Sequence, residues 1–285
     1  MQHWVSLNGT LMAADEAKVS VFDSGFMQGI GLFETMRAYN GTIFRLQQHL
    51  DRLVSSARSL GWTVIPDQED MSENVRQVLS ATGQPEARVR LTVTTGSLHV
   101  VPDGAPELTI VAMATPGEKY PDEYYKRGVT AIVSDCRQSS ADPMAGHKTT
   151  SYFPRLASLR AAHTQAAFEA LWLTPDGHVA EGAISNVFAV RDEQLLTPPL
   201  NTPVLPGITR AAVIELAVAL DIPVRETPLT LDEVQTADEL FLTNCMMEVM
   251  PVVRLGRRAI GNEKPGDLTR ELAVAYGDLL DQECG

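Results

Sequence analysis

The chain has 285 residues and a formal net charge of −13, with 44% apolar and 21% charged residues. This composition is typical of a globular protein that is long enough for one large domain or two modest ones. The negative charge argues against a protein that binds nucleic acid or anionic membranes, because neither surface attracts an acidic protein.

The three cysteines and the N-terminal region exclude several further classes of protein. The cysteines are widely spaced and odd in number, so they support neither a disulfide framework nor a zinc site. The N-terminus has no basic region followed by an apolar run, and no apolar stretch approaches the ~18 residues of a transmembrane helix. We therefore expect a soluble, cytoplasmic protein without a metal site.

Strands dominate the elements predicted for the first part of the chain. The predicted strands are 4–7, 10–11, 19–23, 32–39, 42–46, 88–95 and 107–114, and the predicted helices are 46–60 and 68–81. A polar stretch with two prolines and a glycine then interrupts the pattern. We predict a small N-terminal domain at 1–115, a linker at 116–126 and a larger C-terminal domain at 127–285.

The second part of the chain mixes strands and helices without regular alternation. The predicted strands are 128–134, 170–173, 179–181, 186–190, 194–197, 239–243 and 249–255, and the predicted helices are 153–163, 207–220, 231–235 and 267–281. Regular strand–helix alternation would indicate a parallel sheet, and its absence predicts an α+β fold in two domains.

Two charged residues in this second part suggest imine chemistry. Lys148 lies in a small, semi-polar run, AGHKTTSYFPR at 145–155, and Glu181 opens the loop EGAISN at 181–186. A lysine amine can form a Schiff base, and a carboxylate can tune an electron-accepting ring. The alternative is that Lys148 is a solvated surface group, as most lysines are.

Two further stretches have the form of an anion site. GITR at 207–210 places a glycine at a helix start, where free amides point at an anion. Arg52, on the predicted helix 46–60, could bind the anion through a bidentate guanidinium. A helix cap and a solvated arginine are the alternatives.

Together these stretches resemble the class IV, fold-type IV aminotransferases that use pyridoxal 5′-phosphate. The resemblance covers nearly the whole chain in order. It is carried by FDSG at 22–25, GIGLFETMR at 29–37, FRLQQHLDRL at 44–53, Lys148, EGAISNVF at 181–188, GITR at 207–210 and TNCMMEVMPV at 243–252.

The resemblance implies a role for each of these motifs. Lys148 would carry the cofactor as a Schiff base and move the proton as general base and acid, and Glu181 would keep the ring nitrogen protonated. Tyr152 would hydrogen-bond the phenolate oxygen of the cofactor. The remaining residues implied to bind the cofactor are Arg52, Ser185, Asn186, Ile208, Thr209, and Thr243 or Asn244.

Substrate contacts are implied less directly. The turn TTG at 94–96 lacks the arginine that D-amino-acid aminotransferases carry there. Arg88 and Arg90 alternate to one face of a strand, so Arg88 is a candidate ligand of the substrate carboxylate, with a solvent-facing charge as the alternative. The amides of Cys245 and Met246 could assist.

The resemblance implies a homodimeric aminotransferase that moves an amino group between a small, mainly apolar amino acid and a 2-oxo acid by a ping-pong mechanism through Lys148. The alternative is an aminodeoxychorismate lyase that forms 4-aminobenzoate and pyruvate. Thr35, in the run FETMR at 33–37, favours the lyase, whereas EVMPV at 248–252 favours the aminotransferase. A non-catalytic cofactor-binding module is disfavoured, because both Lys148 and Glu181 are present.

Overall fold

A computed structural model describes residues 3–97 and 107–285, and it has an α+β fold of two compact units. The first unit comprises Met1–Glu118, His147–Ser151 and Gln282–Gly285, and the second comprises Lys119–Gly146 and Tyr152–Asp281. The change of unit falls between Glu118 and Lys119. The segment around Lys148 therefore belongs to the first unit although its neighbours in the chain belong to the second.

The first unit is built on a six-stranded sheet with the strand order β2-β1-β6-β5-β3-β4. Its elements are β1 Trp4–Leu7, β2 Thr10–Ala13, α1 Ser24–Gln28, β3 Gly31–Tyr39, β4 Thr42–Ile43, α2 Leu46–Ser59, α3 Gln68–Thr82, β5 Ala87–Thr94 and β6 Thr109–Pro116. The Asn40–Gly41 pair joins β3 to β4 with φ of 49° and 79°, which is the backbone that this dipeptide favours in tight hairpins.

The core of the first unit lies between one face of this sheet and the helices α2 and α3. On α2, Leu50, Leu53, Val54 and Ala57 are buried at helical spacing, as the periodicity of 46–60 predicts. Alternate residues of β3 and β5 face the same core, so the residues between them lie on the opposite face of the sheet.

The second unit contains a ten-stranded sheet with the order β12-β11-β10-β14-β15-β7-β8-β9-β13, and β16 pairs with β15. Its strands are β7 Val129–Arg137, β8 Glu169–Leu173, β9 His178–Gly182, β10 Asn186–Arg191, β11 Gln194–Thr197, β12 Val224–Glu226, β13 Leu229–Thr230, β14 Glu239–Asn244, β15 Glu248–Leu255 and β16 Arg258–Ala259. Its helices are α4 Asp122–Arg127, α5 Phe153–Thr164, α6 Ile208–Ala219, α7 Leu231–Gln235 and α8 Asp267–Cys284, the last of which ends in residues grouped with the first unit.

Two local predictions differ from the structure. The predicted strand at 19–23 is wrong, because Val19 and Val21 are exposed and 19–22 form no strand in the described part of the chain, although Asp23 makes an isolated bridge to Ser97. Helix α4 lies partly within the predicted linker 116–126, where its first turn carries Asp122 and Glu123 and its last turn Lys126 and Arg127, the order that suits the helix dipole. Among the described residues, no helix is long and apolar enough to cross a membrane.

Candidate active site

Lys148 lies on a short segment that pairs with the edge of β3. The Phe33 amide donates to the Lys148 carbonyl at 2.9 Å, and the Thr150 amide donates to the Gly31 carbonyl at 2.8 Å. Leu32 and Thr149 form the antiparallel bridge between these two bonds. The backbone from the Lys148 carbonyl to Thr150 is therefore fixed to a strand.

The ring of Phe33 contacts two cations on the sheet face that points away from the unit's core. The Lys148 Nζ lies 4.7 Å from the ring centroid, and the Arg90 Cζ lies 3.8 Å from it. Both distances are within the range of cation–π attraction. Arg90 is half-buried, and its Nε donates to the Thr92 hydroxyl at 3.2 Å.

The two predicted substrate residues of the first unit lie on the same sheet face as Phe33. Thr35 is buried and pairs with Arg90 across β3 and β5, whereas Arg88 is exposed and pairs with Arg37. Arg90 rather than Arg88 is therefore the arginine of this strand that contacts the aromatic ring beside Lys148.

The Glu34 carboxylate binds Arg52. Glu34 is part of the sequence motif at 29–37, but the motif does not predict this contact. The Arg52 Nε donates to the Glu34 Oε1 at 2.8 Å, and the Nη2 donates to the Oε2 at 2.5 Å. The His49 Nδ1 lies 2.8 Å from the same Oε2. Burial works to raise the pKa of Glu34, but the Arg52 charge and the His49 hydrogen bond lower it to about 2. Burial in turn lowers the pKa of His49.

In the second unit, Glu181 accepts hydrogen bonds on both carboxylate oxygens. The Oε1 accepts from the Arg155 Nη2 at 2.6 Å and from the Gln138 Nε2 at 3.2 Å. The Oε2 accepts from the Leu205 amide at 2.9 Å. The Glu181 side chain is buried, so these donors hold its carboxylate in one orientation.

A second buried carboxylate, Glu169, supports the loop that follows Glu181. It accepts from the Ala183 amide at 3.2 Å, the Ile184 amide at 3.1 Å and the Ser185 hydroxyl at 2.8 Å. Burial raises the pKa of Glu169 to about 6 against the effect of these bonds. A Cβ at position 182 would meet the Ser185 Oγ at 2.2 Å, so this loop requires Gly182.

Several residues that the motifs suggest as cofactor ligands form hydrogen bonds with other protein groups. The Ser185 hydroxyl is the donor to Glu169, and the Asn186 Nδ2 donates to the Leu205 carbonyl at 2.9 Å. Asn244 donates to the Ile184 carbonyl at 2.9 Å and accepts from the Met246 amide at 2.8 Å. These side chains connect the loops of the second unit.

Tyr152 and Cys245 are two further predicted site residues of the second unit. The Tyr152 hydroxyl lies 3.4 Å from the Ala183 carbonyl, which is a long hydrogen bond on the same loop. Cys245 is half-buried in the turn between β14 and β15. The Met246 amide, predicted as a substrate contact, donates to the Asn244 Oδ1 in this turn, a bond of which the sequence motif gives no sign.

The start of α6 is the part of the second unit best suited to an anion. Gly207 caps this helix without a side-chain hydrogen bond, and the amides of Ile208 and Thr209 have no acceptor among the described residues. A Cβ at 207 would meet the Asn186 Oδ1 at 2.0 Å, so only glycine permits this backbone path.

Thr243, on the neighbouring strand β14, adds a hydroxyl to this region. Its Oγ1 is buried and has no hydrogen-bond partner among the described residues. Because a buried unpaired hydroxyl costs free energy, its retention fits a hydroxyl that serves a bound group. The donor set of α6 and Thr243 fits a phosphate such as that of pyridoxal 5′-phosphate.

The comparisons with known proteins agree with these features. The family model described as "Amino-transferase class IV" matches residues 31–255. A putative branched-chain-amino-acid aminotransferase of Methanocaldococcus jannaschii is 36% identical, with 96% of each chain covered. A D-alanine aminotransferase of Bacillus licheniformis is 31% identical, with 98% of each chain covered. The structure of a T.th. branched-chain amino acid aminotransferase with pyridoxamine 5′-phosphate aligns with a TM-score of 0.90 and 28% identity, covering 98% of this chain and 94% of that one.

Proposed function

Because this chain belongs to the class IV aminotransferases and uses pyridoxal 5′-phosphate, we propose that it moves the amino group of a small, mainly apolar amino acid to a 2-oxo acid, with Lys148 as the catalytic amine. Its relatives are aminotransferases, which favours amino transfer over the lyase alternative. When bound, the cofactor supplies an electron-accepting ring that stabilises negative charge at the substrate Cα.

The observation that carries the assignment of Lys148 is its fixed position on the edge of β3 against Phe33. The paired backbone holds the amine at one place, and the ring, 4.7 Å from the Nζ, excludes water from one side of it. Lys148 would hold the cofactor, and its free amine would act as the general base and acid that moves the proton of the substrate Cα. Such a base works only while its amine is neutral.

We assign the cofactor contacts according to the donors that each residue offers. Glu181 would bind the ring nitrogen, and Tyr152 would donate to the phenolate oxygen. In the second unit, the amides of Ile208 and Thr209 and the Thr243 hydroxyl would bind the phosphate. The family resemblance implies Arg52 as a further phosphate ligand. Ser185, Asn186 and Asn244 contribute through the loops that they hold together, since their polar atoms bind other protein groups.

For the substrate carboxylate we propose the arginines of β5, with Thr35 and the Cys245 amide as further polar contacts. Arg88 is exposed, while Arg90 lies against Phe33, so the face that carries both arginines is cationic. Arg90→Ala should raise the KM for the amino donor more than kcat falls, and Arg88→Ala reports on the outer position. Unchanged KM values in both variants would exclude this face as the carboxylate site.

We also propose that the enzyme is a homodimer, as the family resemblance implies. The segment around α1 exposes a run of apolar side chains, namely Val19, Val21, Phe22, Phe26 and Met27. Contiguous exposed apolar groups mark interaction surfaces more often than isolated ones do. Phe26→Asp should lower the molar mass measured by light scattering, whereas a wild-type protein that is monomeric at all concentrations would contradict the proposal.

The function is tested by a half-reaction screen on the purified protein loaded with pyridoxal 5′-phosphate. Amino acids of either hand are added singly, and loss of the absorption band at about 400 nm reports conversion to the pyridoxamine form. A 2-oxo acid should then restore the band, as a ping-pong mechanism requires. Failure of every donor, together with release of pyruvate from aminodeoxychorismate, would establish the lyase instead.

The lysine assignment is tested separately by mass spectrometry. Borohydride reduction of the loaded wild-type protein should attach the cofactor to the peptide that contains Lys148, and the Lys148→Ala variant should carry no attached cofactor. Lys126→Ala is a matched control, because Lys126 is an exposed lysine in α4 of the second unit. Attachment that persists in Lys148→Ala would show that another lysine performs the chemistry.

A further inference from the structure

Arg155 is a buried cation whose contacts converge on Glu181 and on the loop behind it. Its Nη2 donates to the Glu181 Oε1 at 2.6 Å and to the Gln138 Oε1 at 3.3 Å. Its Nη1 donates to the carbonyls of Gly182 at 3.3 Å and Ala183 at 3.2 Å. One guanidinium therefore fixes both the Glu181 carboxylate and the backbone that follows it.

The surroundings keep this guanidinium charged and in place. Its Cζ lies 5.1 Å from the centroid of the Trp172 ring, which is a cation–π contact, and Trp172 pairs with Glu181 across β8 and β9. Burial works to lower the pKa of Arg155, but the neighbouring charges, chiefly Glu181 and also Glu169, raise it above its ordinary value. The side chain is 17% exposed, so water screens the ion pair only weakly.

We propose that Arg155 is a positioning residue that, by sharing the Glu181 carboxylate, limits how tightly the ring nitrogen of the bound cofactor holds its proton. This inference rests on the proposed role of Glu181 as the partner of that nitrogen. It concerns a residue seven positions beyond Lys148 that would touch the cofactor only through another side chain.

The physical basis is the sum of charges around the ring nitrogen. A lone buried carboxylate would carry a charge of −1 and would strongly favour a protonated ring nitrogen. With Arg155 bound, Glu181 is one half of an ion pair that is neutral overall, so protonating the ring nitrogen leaves the group with a net positive charge. The Arg155 charge thus opposes protonation, while the hydrogen bond to Glu181 still orients the proton.

The Glu181 carboxylate has four lone-pair positions that can accept hydrogen bonds, and its protein partners fill three of them. Arg155 and Gln138 occupy the Oε1, and the Leu205 amide occupies one position on the Oε2. A ring N–H would fill the remaining position on the Oε2. Arg155 therefore also decides which oxygen of Glu181 faces the cofactor.

The test is 15N NMR of the holoenzyme loaded with pyridoxal 5′-phosphate labelled at the ring nitrogen and titrated with pH. Arg155→Met removes the charge and should raise the apparent pKa of the ring nitrogen by about 1 unit or more. Arg155→Gln, which retains a donor for the loop carbonyls, should show the same rise. Arg155→Lys keeps the charge and should remain close to the wild type.

Two further variants separate this inference from the function on which it rests. Arg191→Met removes a half-buried arginine that bonds to the Glu233 carbonyl in the same unit, and it should leave the 15N titration unchanged. Glu181→Gln should alter the 15N resonance itself. If Glu181→Gln has no effect, the assignment of Glu181 is wrong.

If Glu181→Gln does alter the resonance but all Arg155 variants titrate as the wild type does, the inference about Arg155 is overturned while the function stands. Equal shifts in Arg155→Lys and Arg155→Met would also overturn it, because a purely structural contact does not distinguish the two. Should Arg155→Met fail to fold, Arg155→Gln alone decides the outcome, since it lacks the charge but still carries an N–H donor.

Discussion

Glu34 holds Arg52 by two parallel hydrogen bonds, of 2.8 Å and 2.5 Å, that span a strand and a helix of the first unit. The carboxylate is 1% exposed, and His49 bonds to the same oxygen that accepts from the Arg52 Nη2. Two of the five N–H donors of the guanidinium therefore bind Glu34, which fixes the orientation of Arg52. The arginine is thus oriented before any phosphate binds.

Glu34→Gln should therefore weaken both cofactor binding and folding. The variant leaves Arg52 buried beside a neutral group, and the loss of one member of a buried pair lowers the free energy of unfolding by roughly 3 kcal/mol or more. We expect the Kd for pyridoxal 5′-phosphate to rise about tenfold, the equivalent of 1.4 kcal/mol. Urea unfolding and a fluorescence titration with the cofactor measure the two effects.

A matched control is Glu69→Gln, which removes a surface carboxylate 3.6 Å from Arg76 in the same unit. Exposed ion pairs contribute roughly 0–1 kcal/mol, so this variant should behave as the wild type in both measurements. If Glu34→Gln also behaves as the wild type, the Glu34–Arg52 pair does not orient the arginine.

Glu169 should give the stability of the second unit an unusual pH dependence. Its pKa is raised from 4.5 to about 6 in the folded protein, so folding takes up a proton between these values. The stabilisation from this group is fully present below pH 4.5 and is lost as the pH rises through about 6, with a total change of roughly 2 kcal/mol. Urea midpoints measured from pH 4 to 7 should therefore decline more steeply in the wild type than in Glu169→Gln.

The control for Glu169→Gln is a variant that removes one negative charge away from the loop that Glu169 supports. Glu271→Gln on α8 is suitable, because Glu271 is exposed. It should keep the wild-type slope between pH 4.5 and 6, the window set by the shifted pKa of Glu169. Parallel curves for Glu169→Gln and the wild type would contradict the assignment.

The low pKa of Glu34 acts in the opposite sense and in a different window. Because it is lowered from 4.5 to about 2, its contribution to stability is present above pH 4.5 and is lost as the pH falls towards 2. Acid unfolding of the wild type below pH 4.5 should be steeper than that of Glu34→Gln, which has no proton to bind at this position. Circular dichroism during an acid titration gives the comparison, and equal steepness would contradict the lowered pKa of Glu34.

The sequence predicts those features that depend on local patterns. The spacing of Leu50, Leu53 and Ala57 predicts helix α2, and the alternation in 32–39 predicts β3, because helical and strand periods are visible in any single segment. The motifs also predict Lys148 and Glu181 as site residues, because an amine and a carboxylate in these motifs indicate a specific chemistry. These features are properties of a few adjacent residues.

The hydrogen-bond partners of the site could not be predicted, because they depend on contacts between distant segments. In the sequence, Glu34 is only one residue of a strand motif. Its pairing with Arg52 depends on the packing of α2 against β3. Glu169 stands out only as a charge that opens an otherwise apolar strand, EALWL at 169–173. Similarly, nothing in the sequence shows that Asn244 bonds to the Met246 amide or that Ser185 serves Glu169.

The unpaired hydroxyl of Thr243 gives a prediction that separates folding from cofactor binding. Thr243 is 1% exposed, and its Oγ1 has no partner among the described residues. Replacing an unsatisfied buried hydroxyl by a methyl group removes a desolvation cost, so Thr243→Val should leave the apoprotein equally stable or stabilise it by about 1 kcal/mol. If the hydroxyl binds the phosphate, the same variant should raise the Kd for pyridoxal 5′-phosphate about fivefold to tenfold.

Thr197→Val provides the opposite case within the same unit. Thr197 is also fully buried, but its hydroxyl donates to the Val187 carbonyl at 2.8 Å. Its replacement should destabilise the apoprotein by about 1–3 kcal/mol, because the carbonyl loses its donor, while the cofactor affinity of the folded protein stays the same. Thermal unfolding without cofactor and a cofactor titration, both applied to the two variants, measure this crossed pattern. Thr243→Val would contradict the proposal if it behaved as Thr197→Val should, with lower stability and an unchanged affinity for pyridoxal 5′-phosphate. The Thr243 hydroxyl would then have a structural partner and would not bind the phosphate.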